Sequence, residues 1–573
     1  MITNDDINTI LRIKESYQLH NTLKNILFDQ DKKIETFERF LAIENDLSYD
    51  WFTNYFQENQ SNRKSFMQDY TPDCICKIIS GLMKDSNVIL DCCSGIGGLT
   101  ISVPDKKNKI FYCEELSNNS VMMLLFNLSI RNIQAYVRHG DVLTNEFNRV
   151  YKLIPGERFS DIEEITQAND YVVDTVISNP PYSLKFDKVD DYEDDIRFKE
   201  YGVPPKAKAD YAFVLHALSK LKENGEAFFI LPHGILFRGA KEGNIRKKLI
   251  ENKMIDTVIG LPDKLFLNTD IPVCILVLKK NRRNDDILFI DASKLFEKHG
   301  KNNLMTTDHI NKLISIYRLR ADVDKLSHLA SLEEIRDNDY NLNIPRYVDN
   351  FEKQEPIDMK KNLEELKNIE TEISKTEQNL TRMLKEITGP IDYNSYRDGL
   401  VEMLEKDKED PLIKMCNATN DFVNKNIDMF KKQKQINLLD LVEFERSKKD
   451  KIYQSGCILI QVSATRGQLE YLENSSTVDS KFGVFIPKWN VNPKYLYYVL
   501  EMLMPGFLAR YQTGLNINPE IFKHLILTIH TDVNVQALIV KMLDSLQVGI
   551  ENEEKTIKEW KNVKQVHLDG MFI

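Results

Sequence analysis

The sequence has little of what secreted and membrane proteins rely on. It contains only eight cysteines in 573 residues, and because they are scattered they do not predict a disulfide framework. No apolar run appears long enough to cross a bilayer, and the opening residues 1–6 are acidic rather than signal-like. These absences predict a cytoplasmic protein.

Signatures of metal binding and of ATP-driven chemistry are also missing. Cys74 and Cys76 have no second Cys or His pair at ligand spacing, so no zinc site is expected and both thiols are assigned to the core. The chain has no Walker loop for a translocase. Too few residues precede Gln68 for a nuclease domain with a core of its own.

An excess of positive charge is absent as well, since the formal net charge is −11. Net charge governs non-specific association, however, and a basic groove can lie on an acidic body, so DNA is not excluded. With 28 % charged and 42 % hydrophobic residues, the chain is typical of a soluble protein. Its 573 residues exceed what one core can serve, which predicts three or four units.

The most informative stretch is Asn179-Pro180-Pro181-Tyr182, which follows the β-branched run 171–177. That run predicts a buried strand, and polar groups after such a strand emerge where open α/β sheets bind ligands. The prolines fix φ and remove two donors, so the Asn179 amide and the Pro180 carbonyl present two acceptors beside the Tyr182 ring. An ordinary proline-rich turn is the alternative.

A glycine-rich turn, residues 91–98, follows the predicted strand 87–90 and would let a ligand approach its backbone. The next predicted strand, 109–113, leads to Glu115, about 20 residues on, where nucleotide-binding units place a carboxylate on ribose. Asp141, after a third strand, either contacts the same ligand or caps a turn. The turn lacks the strict G-x-G-x-x-G order, which favours an adenosine ligand other than a dinucleotide or ATP.

These features stand in a fixed order, which is Tyr70-Thr71-Pro72, the Asp91 glycine turn, Glu115, Gly140-Asp141 and Asn179-Pro180-Pro181-Tyr182. Together with Asp210-Tyr211-Ala212-Phe213 and the run 225–237, they resemble the S-adenosylmethionine-dependent DNA adenine-N6 methyltransferases. More narrowly, residues 60–350 resemble the modification subunit of type I restriction-modification systems. Cys92 and Ser94 depart from that family, which usually has proline and cysteine there.

The resemblance implies an α/β, Rossmann-like methyltransferase sheet with helices on both faces. Asn179 and the Pro180 carbonyl would accept the protons of an adenine amine, while Tyr182 would stack on the flipped base. Phe186 is either the opposite stacking face or core, and we favour core. Thr71 and Pro72 also predict a helix N-cap and first residue. The expected cofactor-binding residues are Tyr70, Thr71, Pro72, Asp91, Ser94, Gly95, Gly97, Gly98, Glu115, Asp141 and Asn179.

The last third predicts a different organisation. Between Asp358 and Leu384, apolar residues recur at spacings of three, four and seven, which predicts a long amphipathic or coiled-coil helix. From about residue 435 the chain resembles a target-recognition domain of a type I specificity subunit. The predicted domains are an N-terminal helical domain (1–60), a methyltransferase domain (61–350), a helical arm and linker (351–434), an α+β recognition domain (435–530) and a C-terminal helix (531–573).

The sequence thus predicts a bacterial or phage-encoded modification enzyme fused to half of a specificity subunit. Expected partners are double-stranded DNA, a second copy paired through the recognition domain and arms, and a restriction or specificity subunit. The expected DNA contacts are Lys206, Lys208, Arg238, Gln461, Ser463, Arg466, Lys481 and Arg510. Two alternatives stay open, methylation of a glutamine amide in a protein and a non-catalytic subunit that delivers DNA to partners.

Overall fold

The chain forms two units, each with its own hydrophobic core. They comprise residues 1–350 and residues 351–573. The computed structural model describes residues 2–53, 55, 71–166, 170–186, 189–266, 271–350, 359–386, 391–405, 411–465, 467–488 and 490–571.

The first unit is an α/β domain. Its α-helices are α1 (Asn4–Leu11), α2 (Leu19–Leu27), α3 (Gln30–Ile43), α4 (Asp73–Leu82), α5 (Gly98–Ser102), α6 (Asn118–Ile130), α7 (Ile196–Lys199), α8 (Asp210–Lys220), α9 (Ala240–Glu251), α10 (Thr307–Leu319) and α11 (Leu332–Asp337). Its strands are β1 (Val88–Cys92), β2 (Ile110–Glu115), β3 (Gln134–Asp141), β4 (Glu146–Ile154), β5 (Asp161–Ile165), β6 (Val173–Ser178), β7 (Leu221–Pro232), β8 (Ile255–Gly260), β9 (Val273–Lys279), β10 (Ile287–Asp291), β11 (Glu297–His299), β12 (Asn302–Leu304) and β13 (Ser327–Ala330). Single 3₁₀ turns cover Ser16–Gln18, Lys106–Asn108, Val189–Asp194, His233–Leu236 and Ile344–Arg346.

Eleven of these strands form one sheet in the order β13-β10-β8-β9-β7-β6-β1-β2-β3-β4-β5. The central strands β3, β2, β1, β6 and β7 are parallel, so their carboxyl ends lie along one edge. Strand β9 runs antiparallel between β7 and β8. The reversal of strand order around β1 and β6 creates the crevice in which such sheets bind ligands.

Helices cover both faces of this sheet, as the sequence predicts. Successive residues of a strand point to opposite faces, and Ile89 and Leu90 of β1 belong to two different buried clusters. One cluster includes side chains from α4, α6 and α10, whereas the other includes side chains from α8 and α9. The fold expected for the first unit is therefore confirmed.

The N-terminal helices share the core of the sheet domain. Phe37 of α3 meets Phe126 of α6 edge-on, with ring centroids 4.8 Å apart. The buried Lys33 donates to Asp161 of β5 at 2.8 Å. Helix α3 is thus attached to α6 by apolar packing and to β5 by the ion pair of the buried Lys33 with Asp161.

The second unit combines helices with small antiparallel sheets. Its helices are α12 (Met359–Glu386), α13 (Ile391–Glu405), α14 (Pro411–Lys425), α15 (Ile427–Phe430), α16 (Leu438–Leu441), α17 (Pro493–Tyr511) and α18 (Val533–Met571), with a 3₁₀ turn at Pro519–His524. Its strands are β14 (Gln433–Asn437), β15 (Val442–Arg446), β16 (Ile452–Tyr453), β17 (Ile458–Gln461), β18 (Leu469–Tyr471), β19 (Ser476–Thr477), β20 (Phe482–Pro487) and β21 (Ile526–His530). The main sheet has the order β15-β20-β17-β18, and its core includes residues of α16 and α17.

Two sequence expectations need correction. Helix α4 begins at Asp73 with Pro72 at the N-cap position and no capping side chain, so Thr71 does not cap the helix. Residues 533–555 of α18 are long and apolar enough to cross a membrane, with a mean hydropathy of 1.2, although the sequence suggested no such run. That evidence is weak, because length and composition alone define the stretch and α18 packs on α14 and α17.

Candidate active site

The tips of β6 and β1 bring two predicted elements of the site together. The strands pair in parallel, with Ile177 opposite Asp91, so the segments that follow both strands leave the sheet at the same edge. The Ser178 hydroxyl donates to the Cys92 carbonyl and joins the two tips. Beyond it, Asn179 is half-buried and Pro180 is buried. The tetrapeptide and the glycine turn are therefore neighbours.

The Asn179 amide is held at both ends. Its Nδ2 donates to Thr71 Oγ1 at 3.0 Å, and its Oδ1 accepts from the Tyr182 hydroxyl at 2.8 Å. Thr71 reaches this position from the start of α4, a contact that spacing along the chain does not reveal. Asn179, Thr71 and Tyr182 thus form one chain of hydrogen bonds.

Two aromatic neighbours of the tetrapeptide have different roles. Phe266 meets the Tyr182 ring nearly edge-on, with centroids 6.3 Å apart. Phe186 is only 2 % exposed and stacks on Tyr192 at 5.2 Å. The assignment of Phe186 to the core is confirmed, and the sequence missed Phe266 as the aromatic neighbour of Tyr182.

The segment after Tyr182 is anchored by a buried carboxylate. Ser183 adopts a left-handed conformation with φ 54°, and its N–H donates to Asp210 Oδ1 at 2.8 Å. The other oxygen of Asp210 accepts from Arg238 at 2.7 Å, and Arg238 also pairs with Glu242. Lys208 Nζ donates to the Ser183 hydroxyl at 3.0 Å. Two of the predicted DNA contacts, Arg238 and Lys208, therefore have structural partners in this segment.

The glycine turn after β1 requires backbone that side chains disfavour. Gly95 and Gly97 have φ values of 57° and 94°, and a Cβ on Gly97 would lie 2.8 Å from Leu124. A Cβ on Gly98, by contrast, would meet no neighbouring atom of the described residues within 4 Å. The Ser94 N–H donates to the Glu114 carbonyl at 2.9 Å and ties the turn to β2. The backbone beside Gly98 consequently leaves space for a ligand.

Asp91 is fully buried at the end of β1, and only one of its two carboxylate oxygens accepts a hydrogen bond from the described residues. Its Oδ2 accepts from the Thr100 hydroxyl at 2.6 Å, whereas its Oδ1 has no hydrogen-bond partner among the described residues. Burial is the largest influence on this carboxyl and raises its pKa from 3.8 to about 7. A buried acceptor without a donor fits a ligand that brings an ammonium group, as the methionine end of S-adenosylmethionine does.

Glu115 and Asp141 lie at the ends of the next two strands. Glu115 is 3 % exposed and accepts backbone N–H groups from Gly95 at 2.8 Å and Ser117 at 2.7 Å. A carboxylate oxygen can accept more than one hydrogen bond, so a carboxylate at this strand end suits a ribose hydroxyl. Asp141 Oδ1 accepts from the Leu143 N–H at 2.9 Å, which is the turn cap weighed for it from sequence. A cofactor contact of Asp141 remains a prediction.

Three buried side chains near the glycine turn are of types that bind metal ions, but arginine side chains already contact two of them. The candidate ligand atoms of Cys92, Glu114 and His216 lie within 4.8 Å of one another. Glu114, however, accepts from Arg138 at 2.6 Å, and Arg197 lies 3.3 Å from His216 Nδ1. Because an arginine can only donate, His216 Nδ1 accepts from Arg197, and His216 Nε2 donates to Glu114 at 2.9 Å. The group is therefore a buried ion network.

The predicted DNA contacts of the second unit cluster only in part. Gln461 Nε2 donates to the Ser463 carbonyl at 3.0 Å, and the Ser463 hydroxyl accepts from Arg446 at 3.4 Å. The exposed Lys481 lies over the Phe482 ring, while Arg510 lies in the last turn of α17. Lys206, in the first unit, is exposed. The sequence missed Arg446 because its proximity to Ser463 depends on sheet pairing.

Two predicted residues, Tyr70 and Arg466, lie outside the described residues. All other predicted cofactor residues lie at the carboxyl edge formed by β1, β2, β3 and β6 or at the start of α4.

The strand order, the glycine turn after β1 and the carboxylate ending β2 define a doubly wound α/β domain suited to a nucleoside-bearing ligand. Residues 46–356, more than half of the chain, match the N-6 DNA Methylase family. The chain belongs to that family. Residues 405–562 match the type I restriction modification DNA specificity domain.

Relatives of the chain are methylase subunits of type I restriction enzymes. The MjaVII methylase subunit of Methanocaldococcus jannaschii is 33 % identical over 355 residues, covering 56 % of each chain. The MpnII methylase subunit of Mycoplasma pneumoniae is 31 % identical over 331 residues, covering 55 % of this chain and 58 % of the relative. The matches thus span little more than half the length of these relatives. A solved type I methyltransferase subunit from Streptococcus thermophilus is 40 % identical, with TM-score 0.43 and coverage of 49 % and 59 %.

Proposed function

We propose that this chain is a site-specific DNA methyltransferase that transfers a methyl group from S-adenosylmethionine to N6 of an adenine in duplex DNA. One observation carries the proposal, namely that the Asn179 amide and the Pro180 carbonyl follow β6 directly beside the glycine turn of β1. Membership of the N-6 DNA methylase family and the specificity domain in the same chain support it.

The chemistry required of Asn179 and Pro180 is the acceptance of protons. An adenine amine is a weak nucleophile because its lone pair is delocalised into the ring. Two acceptors that bind its N–H groups localise that lone pair and stabilise the positive charge that develops on nitrogen. The backbone of two consecutive prolines keeps the Pro180 carbonyl rigid. The protein thus contributes orientation and electrostatics rather than a covalent nucleophile.

S-adenosylmethionine supplies an electrophilic methyl group when it is bound. The residues that would hold it are Asp91 at the ammonium group, Glu115 at the ribose and the backbone of Gly95 to Gly98. Among the described residues, Asp91 Oδ1 has no hydrogen-bond partner and the Cβ position of Gly98 has no neighbour within 4 Å, and both facts support this assignment. Ser94, Thr71, Pro72 and Asp141 belong to the same proposed site, as does Tyr70.

Access to the target requires that the adenine leave the helical stack. A base in duplex DNA is flipped into the pocket and held by stacking on aromatic rings. The half-buried Tyr182 ring is the proposed stacking surface, and Phe266 beside it offers a second apolar wall. The anchor of Ser183 to Asp210 would keep this ring in place.

We assign recognition of the DNA target sequence to the second unit. Side chains on the loops around β17, β20 and α17 would contact base edges and phosphates, with Gln461, Ser463, Lys481 and Arg510 as candidates and Arg446 added to them. Lys206 and Lys208 are candidates in the first unit, as is Arg466 in the second. Arg238 is a weaker candidate, because its guanidinium already pairs with Asp210 and Glu242.

A second copy of the chain is the proposed protein partner. The apolar residues Leu366, Ile369, Ile373, Leu380 and Met383 of α12 are each at least 41 % exposed. Leu366, Ile373 and Leu380 recur every seven residues, which is the spacing of a coiled-coil seam. Two half-specificity domains related by two-fold symmetry would read a divided site. Cross-linking that finds only monomers on DNA would contradict the proposed dimer. A restriction or specificity subunit is a further candidate partner.

We place the protein in the cytoplasm, where its DNA substrate would be.

The proposed methyltransferase activity is tested by expressing the chain in a host without adenine methylation and sequencing the genome with modified bases called. We expect N6-methyladenine at one recurring sequence, and none with the Asn179→Ala variant at equal expression, because that variant lacks the amide acceptor. An unmodified genome, or one equally modified by the variant, would contradict the proposal. A protein substrate is not favoured, because a DNA specificity domain follows the methylase domain.

A further inference from the structure

The Asn179 amide lies between two hydroxyl groups from different parts of the chain. Its nitrogen donates to Thr71, 108 residues earlier, and its oxygen accepts from Tyr182, three residues later. We propose that Thr71 is a positioning residue that keeps the Asn179 oxygen turned toward the target amine. This inference rests on the proposed function and assigns Thr71 a task beyond contact with the cofactor.

The proposal follows from the asymmetry of an amide. One end of the group is an acceptor and the other a donor, so a half-turn about the last side-chain bond exchanges them. The target amine offers N–H groups and therefore needs the oxygen of Asn179. With the oxygen committed to the substrate, the half-buried nitrogen is a donor that an acceptor of its own would stabilise. Thr71 Oγ1 supplies this acceptor.

Tyr182 cannot replace Thr71 in this task. Its hydroxyl lies at the oxygen end of the amide, which is the end that the amine would approach. In the reversed orientation, Thr71 would still be able to donate to the oxygen, but the amide nitrogen would face the amine, donor against donor. Only the orientation in which Thr71 accepts is compatible with the bound target.

Thr71 is held by α4 rather than by the catalytic segment. Its carbonyl accepts from the Cys76 thiol at 3.8 Å, and the Pro72 carbonyl accepts from the Ile75 N–H at 2.9 Å. Its branched side chain has few χ1 rotamers, which limits the positions of the hydroxyl. The acceptor for Asn179 is therefore fixed independently of the segment that it orients.

The test compares Thr71→Val, which keeps the side-chain shape but removes the acceptor, with Thr71→Ser, which restores it. We expect the single-turnover rate of adenine methylation to fall about tenfold in Thr71→Val and to return to within about threefold in Thr71→Ser. The Kd for S-adenosylmethionine, measured by calorimetry, should stay within about twofold in both variants, because the hydroxyl is committed to Asn179 and the proposed cofactor contact of Thr71 would use its backbone, which both variants keep. Ser80→Ala is the matched control, because it removes another half-buried α4 hydroxyl, bonded to the Ser102 carbonyl at 3.0 Å.

The outcomes separate this inference from the proposed function. A Thr71→Val protein that weakens S-adenosylmethionine binding while keeping its rate would show that the hydroxyl itself contacts the cofactor, and it would overturn the inference alone. An unchanged rate together with an unchanged Kd would also overturn it. A wild-type protein that binds S-adenosylmethionine but methylates no DNA would contradict the proposed function, and the inference with it. Unfolding temperatures of all variants control for loss of structure.

Discussion

In the first unit, Asn179 at the tip of β6 is held by a residue far away in sequence, whereas in the second unit the candidate DNA contact Gln461 is held by a close neighbour. Asn179 depends on Thr71, and the Gly95 N–H on Glu115. Gln461, by contrast, donates to the carbonyl of Ser463, only two residues on. Chemistry needs atoms fixed by the whole fold, while a recognition surface can change without disturbing the sheet beneath it.

The largest effect is expected at Asp91. Asp91→Asn should weaken S-adenosylmethionine binding about 10- to 100-fold, because a charge-assisted hydrogen bond to the ligand ammonium is lost. Wild-type affinity should rise as the pH rises through about 7, where the carboxyl ionises, and the variant should show no such dependence. Calorimetry between pH 6 and pH 8 measures both. Equal pH dependence in the two proteins would exclude Asp91 from the site.

The raised pKa of Asp91 also predicts how the free energy of unfolding of the unliganded protein depends on pH. A pKa raised by burial from 3.8 to about 7 means that the folded state binds the proton more tightly than the unfolded state. This contribution to stability is complete below 3.8 and is lost as the pH rises through about 7. Asp91→Asn should therefore raise the free energy of unfolding at pH 8 by about 1–3 kcal/mol and raise it less at pH 5. Denaturant melts at the two pH values check the sign.

An intermediate effect is expected in the second unit. Gln461→Ala should lower the preference for the cognate site about tenfold, as expected when an amide loses its contact with a base edge. The rate at saturating DNA should change little, because the catalytic tips belong to the first unit. Competition between cognate and mutated sites measures the preference, and Lys541→Ala, on an exposed position of α18, is the control. A lower rate without a change in the preference for the cognate site would contradict the assignment of site recognition to the second unit.

The smallest effect is expected at the glycine turn. Gly98→Ala should raise the Kd for S-adenosylmethionine about three- to fivefold while the free energy of unfolding rises by about 0.4–1 kcal/mol, because the methyl group enters open space in a compatible backbone. Gly97→Ala is the contrasting variant and should destabilise the fold, since its φ is 94° and Leu124 lies 2.8 Å from the new Cβ. Unaltered affinity in Gly98→Ala would mean that the space beside it is not used.

Several features were predictable because local patterns encode them. The apolar runs 87–90, 109–113 and 171–177 indicated the strands β1, β2 and β6. The heptad spacing indicated α12, which spans Met359–Glu386. The Thr71 cap was predicted wrongly because Thr-Pro before an apolar run satisfies the local rule for a helix start, whereas the distant Asn179 uses the hydroxyl instead.

By itself, the sequence determined the α/β class, the strands that carry the candidate site and the residues that stand at their ends, because periodicity and turn chemistry act over a few neighbours. Only the tertiary structure decided which strand tips meet, that Thr71 accepts from Asn179 and that Phe266 borders Tyr182. It also decided that a buried oxygen of Asp91 has no hydrogen-bond partner within the part of the chain that the structure describes. These contacts join residues far apart in the chain, and their energies depend on burial and distance, which no local pattern records.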